Sequence, residues 1–154
     1  MLLRKFVLIM ENIQNLIQLM QSAISPIVLI SGVGLLLLSL TNRLGRSIDR
    51  SRYLVKEIED GNDTERKHIQ IGILFKRARI LRASITSISL TILFASLMIL
   101  LLFVGYFTQL NISFVFITFF ILAIIGLILG IVLLVIDITF SLKALKIQVQ
   151  DHID

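Results

Sequence analysis

Hydrophobic residues along this chain gather into long runs, separated by one densely charged stretch and one short polar link. Residues 85–107 and 112–136 contain no Asp, Glu, Lys or Arg. At about 1.5 Å per helical residue, either run crosses a hydrocarbon core about 30 Å thick. A core helix of that length in a soluble protein would keep a polar face, and these runs have almost none. They predict transmembrane spans over 85–107 and 112–139. A shorter run, 26–42, predicts the first span. It opens on Pro26, a residue tolerated in a first helical turn. Ala23–Ser25 on one side and Thr41–Asn42 on the other extend Ile27–Leu40 to about 20 residues, enough to cross.

The segments between the runs have a different periodicity. In residues 1–25, Phe6, Met10, Ile13, Ile17, Met20 and Ile24 recur at steps of three and four, with Gln14, Asn15, Gln18 and Gln21 on much of the other side. That pattern predicts an amphipathic helix lying in the membrane interface. A signal peptide would need an apolar core of about 7–15 residues, whereas Phe6–Met10 runs only as far as Glu11. Across 43–84, apolar residues recur at Leu44, Ile48, Val55 and Ile58, then at Ile69, Ile73 and Ile80. Asp60-Gly61-Asn62-Asp63 interrupts them with turn chemistry, and Asn62 or Asp63 can cap the second of the two helices. The expectation is an antiparallel helical hairpin continuous with the first two spans. Gly105–Asn111 reads as a turn with Tyr106 at interface depth, and 140–154 as a helical tail. The predicted fold is an all-α membrane protein: three transmembrane helices, an N-terminal interfacial helix and a cytoplasmic helical hairpin.

Composition agrees. The chain is 56% hydrophobic and 16% charged, with a mean hydropathy of +0.95. A soluble domain carries about 25% charged residues. Between residues 42 and 83 lie eleven basic and six acidic residues. No charge separates the second and third spans, and Lys143 and Lys146 follow the third. The positive-inside rule therefore places the hairpin and C-terminus in the cytoplasm and the N-terminal helix outside, with Arg4 and Lys5 as a minor counter-signal. A pI near 10 does not call for nucleic acid here, because the basic residues flank apolar spans. Arg50, Arg52, Lys76, Arg77, Arg79 and Arg82 are candidates for binding anionic lipid headgroups. The plainer reading is a solvated coiled-coil face. There are no cysteines, and the two histidines, His68 and His152, lie far apart in polar segments. Disulfides, thiolate chemistry and Cys-based metal sites are excluded. No catalytic constellation is present, so neither enzyme activity nor a metal or cofactor is expected.

The faces of the spans carry the remaining information. Projected at about 100° per residue, Ser25, Gly32, Ser39 and Arg46 form a stripe on the first span, with Ser31, Asn42 and Asp49 beside it. Lipid gives no reason to keep such a stripe, so it faces protein or water. Either it packs closely on another helix, or it lines a pore in an oligomer, with Asn42 and Arg46 at the mouth. In the third span, Gly126 and Gly130 form a small-xxx-small pattern, sharing a face with Ala123, Asp137 and Ser141. Asp137 is the only acidic residue in any span. Its charge costs about 2.5–3.5 kcal/mol at a helix centre, so it calls for a partner. Arg43 or Arg46 lies at similar depth and predicts an ion pair; a cation site or gating residue is the alternative. Ser84, Ser87 and Thr91 share a face of the second span and read as packing hydroxyls.

Ser25-Pro26, Ser31-Gly32-Val33-Gly34, Thr41-Asn42-Arg43 and Asp49-Arg50-Ser51-Arg52 resemble an uncharacterised bacterial membrane family, domain of unknown function 2721. With the basic segment 77–85 and the third span, the resemblance covers most of 23–146 and implies a three-span protein and little else; the expected location is the bacterial inner membrane. The resemblance implies no activity. Three helices cannot enclose a water-filled path alone, so the functional expectation is a homo-oligomeric ion channel lined by the first span. The alternative is a structural or accessory membrane scaffold, or a lipid-binding partner subunit, without transport.

Overall fold

The structure, a computed structural model, describes residues 2–61, 64–108 and 112–150, without the side chains of 2, 3, 8, 12 and 142–150. Three helices follow one another: α1 (Leu2–Glu59), α2 (Glu65–Thr108) and α3 (Ser113–Gln150). Each is long and apolar enough to cross a membrane.

With 58 residues, α1 is about 87 Å long. The element boundary expected at residue 25 is absent. Pro26 lies inside the helix instead of in its first turn, and it is buried. Proline removes one backbone hydrogen bond, yet membrane helices tolerate it where neighbouring elements hold the chain. Here Ala23 and Val33, on either side of Pro26, are both buried. At the other end of α1, Asp60 N–H donates to the Lys56 carbonyl and Gly61 N–H to that of Ile58. Gly61 has φ +89°, the left-handed conformation that ends helices and that residues with a Cβ adopt only at a cost. Thr64 immediately precedes α2, and its carbonyl accepts from Lys67 N–H. The caps expected at Asn62 and Asp63 lie outside the described residues. At the far link, α2 continues helically to Thr108, so Gly105–Thr108 belong to the helix and not to a turn.

α2 is the central helix: α1 and α3 pack extensively on it and barely on each other. Apart from Ala23, the buried positions of α1 recur every seven residues, at Pro26, Val33, Leu40, Ser47 and Leu54. Those of α2 alternate steps of three and four from Leu81 to Met98, and α3 buries Ala123, Gly130 and Asp137. A seven-residue repeat is the seam of left-handed, knobs-into-holes packing. Ser47 Oγ donates to the Leu74 carbonyl at 3.3 Å, which fixes the antiparallel register of α1 on α2. That register brings Leu40 to Leu81 and Val33 to Ile88, the four residues of the buried core cluster. Carried further, it sets 13–25 of α1 alongside 96–108 of α2. Only residues 2–12, roughly 16 Å of helix, extend beyond the end of α2.

Two glycines let α3 approach α2 closely. A Cβ on Gly126 would meet Thr91 Oγ1 at 2.8 Å, and one on Gly130 would meet Ile88 at 2.6 Å. Across this close contact Ser84 Oγ donates to the Gly130 carbonyl at 2.7 Å and Thr91 Oγ1 to that of Ala123 at 3.2 Å. Such bonds contribute about 0.6 kcal/mol each in a membrane protein. Phe94 and Phe119 stack at 5.8 Å in the same interface.

Candidate functional site

Asp137 is fully buried where the three helices meet. Arg43 Nη1 on α1 lies 3.1 Å from its Oδ2, and Arg77 Nε on α2 lies 3.2 Å from its Oδ1. Helical spacing explains this convergence. Asp137 follows Gly130 by seven residues, so it continues the row that α3 presses on α2. Arg77 precedes Ser84 by seven, so it continues the hydroxyl row that α2 presents to α3. Arg43 sits beside the α1 seam, between Leu40 and Ser47. Both arginine side chains keep an exposed fraction, 30% and 24%, which lets part of each guanidinium reach toward water or headgroups. Each carboxylate oxygen accepts a charge-assisted hydrogen bond, and the cluster as a whole carries one net positive charge.

Of the two partners expected for Asp137, only Arg43 reaches it. Arg46 is exposed, and no ion pair of it occurs among the described residues. Three residues on, Arg46 is turned about 60° further round α1, away from the α2 seam. Arg77, by sequence a headgroup candidate, is instead the second partner. Its signal in the sequence is the seven-residue spacing to Ser84, continued to Thr91. Ser141 Oγ, one turn beyond Asp137, is buried and has no hydrogen-bond partner among the described residues.

The polar stripe of α1 takes a different position. Ser25, Gly32, Ser39, Asn42 and Arg46 are all exposed in the single chain. Nothing lies within 4 Å of a Cβ built on Gly32. Gly32 is eleven residues before Arg43, hence within about 20° of its direction, so the stripe borders the open side between α1 and α3. The two sets of small residues thus differ. Gly126 and Gly130 are used within the chain, between α2 and α3, while the α1 stripe has no partner among the described residues.

Toward the α1–α2 turn, Arg50, Arg52, Lys76, Arg79 and Arg82 are exposed. Arg50 lies over the Tyr53 ring at 5.2 Å and Arg79 over the Phe75 ring at 5.4 Å. Glu57 pairs with Lys67 at 3.1 Å and tethers the two helices. The Tyr53 hydroxyl donates to Glu57 and, with Lys67, holds its carboxyl below the usual range; the same bond raises the Tyr53 phenol.

Three apolar helices, satisfied internally by hydroxyls and an ion pair but largely exposed along their apolar faces, define a multi-pass membrane protein. Of the most apolar segments, only 22%, 22% and 17% is buried within the chain, which leaves the remainder free to meet lipid. The family model described as protein of unknown function (DUF2721) matches residues 23–147, and the chain belongs to that family. The match begins at Ala23, a buried residue of α1, and includes Arg43, Arg77 and Asp137. No curated protein and no solved structure matches the chain.

Proposed function

We propose that this protein is the subunit of a homo-oligomeric ion channel of the bacterial inner membrane, with α1 toward the centre of the assembly. The observation that carries this is the exposed stripe Ser25, Gly32, Ser39, Asn42 and Arg46. In contact with lipid it would waste packing and leave polar groups at depth, so it needs protein or water beside it. Several copies arranged around α1 supply both. The eleven basic residues of 42–83 favour a cytoplasmic hairpin and an external N-terminus. Asp137 has a structural part in this arrangement. Both its oxygens are engaged by arginines, so it locks α1 to α2 and α3 and does not bind a passing cation. We assign the protein no catalytic role.

Gly32 favours a second reading. The open space around it would admit a neighbouring helix at close range, as in an accessory scaffold without transport. Ion flux through liposomes holding the purified protein, scanned over voltage, tension and pH, separates the two. A channel gives flux that Ser39→Trp or Asn42→Ala alters. Absent flux from an intact oligomer, or flux indifferent to both substitutions, refutes the α1-lined path.

A further inference from the structure

Near the start of α1, Phe6, Met10, Ile13, Ile17, Met20 and Ile24 alternate steps of four and three. They form one row, about 130° round the helix from Ala23 and Pro26, which α1 buries on α2. All six side chains are between 44% and 66% exposed.

Lipid covers only part of this row. Arg82 is the last charge before the uncharged run through Thr108. Counted from Arg82, a hydrocarbon core of about 30 Å takes about 20 residues of α2 and ends near residue 102. The register of α1 on α2 sets that level beside about residue 19 of α1. Ile24 and its surroundings therefore lie within the hydrocarbon. Ile13, Met10 and Phe6 lie about 9, 14 and 20 Å outside it, beyond a headgroup layer of roughly 5–7 Å. α1 is helical throughout Leu2–Glu59, which leaves no break at which this end could fold back onto the membrane surface. The row thus runs unbroken from hydrocarbon into water.

The spacing and the depth together identify what covers it. Apolar residues at alternating steps of three and four form the seam of a coiled coil, which needs a second helix with the same seam. That helix must itself pass from the hydrocarbon into water, and a second copy of this chain does so. Copies inserted in one membrane point the same way and sit at the same depth, so their rows meet parallel and in register. The flanking positions bring no like charges together: Val7, Gln14 and Gln21 stand on one side of the row, Ile9 and Leu16 on the other. We infer that residues 6–24 of α1 join the same segment of neighbouring copies in a parallel helical bundle, on the membrane face remote from the α1–α2 turn. The bundle rests on the assembly of copies proposed above, but not on transport. It also uses a face of α1 roughly 100° round from Ser25 and its stripe.

The chain has no cysteine, so single introduced cysteines report contact between copies. Phe6→Cys, Ile13→Cys and Met20→Cys, each in the full chain in liposomes, are oxidised and run on a non-reducing gel. Disulfide-linked dimers should predominate at all three. They should be at least about tenfold scarcer at Asn15→Cys, which is exposed on the other side of the helix. The double substitution Met10→Glu, Ile13→Glu lies outside the hydrocarbon and should weaken self-association at least about tenfold by light scattering. Far-ultraviolet circular dichroism should stay unchanged, because neither side chain is buried in the single chain. Cross-linking as strong at Asn15 as in the row overturns the bundle. An oligomer that forms no cross-links in the row also overturns it but leaves the proposed assembly standing, with its contact elsewhere on α1. A parent chain that is monomeric in liposomes overturns both.

Discussion

Replacing Asp137 by alanine leaves two guanidiniums facing each other with no anion between them. Two charge-assisted hydrogen bonds are lost, each of about 1.5–3 kcal/mol. Removing one partner of a buried pair costs about 3–5 kcal/mol when the remaining charge cannot escape. Here it can in part, because Arg43 and Arg77 keep 30% and 24% of their side chains exposed and can bend toward headgroups. The expected loss is therefore about 2–4 kcal/mol. Asp137→Asn preserves the shape and one acceptor oxygen, and should cost about half as much. Arg43→Gln or Arg77→Gln leaves the carboxylate one cation, so each should cost about 1–2 kcal/mol, and Arg46→Gln less than about 0.5. The chain has no tryptophan, so far-ultraviolet circular dichroism during reversible unfolding in mixed micelles is the suitable readout. An Asp137→Ala variant within about 0.5 kcal/mol of the parent would refute the three-helix lock. Equal costs for Arg46→Gln and Arg43→Gln would show that Arg43 is not the partner of Asp137.

Gly130→Leu drives a side chain into Ile88, whose atoms already lie 2.6 Å from an added Cβ. It should lower the stability of the single chain by at least about 1–3 kcal/mol, seen in the same unfolding assay. Gly32→Leu meets nothing within 4 Å, so it should leave that stability within about 0.5 kcal/mol. If α1 faces other copies, it should nevertheless shift the oligomer to smaller species by light scattering in detergent. For Glu57, the folded carboxyl lies below its ordinary range because of Tyr53 and Lys67. Its contribution is thus complete above that range and is lost as the pH falls through the lowered value. Amide exchange around Ile58–Gly61 should quicken in acid beyond the intrinsic rate change, and Glu57→Gln should remove the difference.

The chain's own pattern defines its solvent. Runs without a single charge over 85–107 and 112–136 have no stable place in water, whatever their neighbours, and this makes the second and third apolar helices legible before any packing is known. Spacing also announces direction: Ala123, Gly130 and Asp137 fall in one row, and an acid in such a row calls for a cation at its depth. Periodicity says where a side chain points on its own helix, however, and not what stands opposite. Arg77 and Arg79 look alike in the sequence, yet one closes the Asp137 pair and the other lies over Phe75. Which arginine meets the acid depends on the register of α1 and α2, set by the whole seam from Pro26 to Leu54. The same seam carries α1 unbroken past Pro26, where local propensity alone predicts a new beginning. The glycines divide in the same way. All are small by composition, but only the approach of α2 shows that Gly126 and Gly130 are occupied and Gly32 is open, because close packing is a property of two surfaces and a sequence describes one at a time.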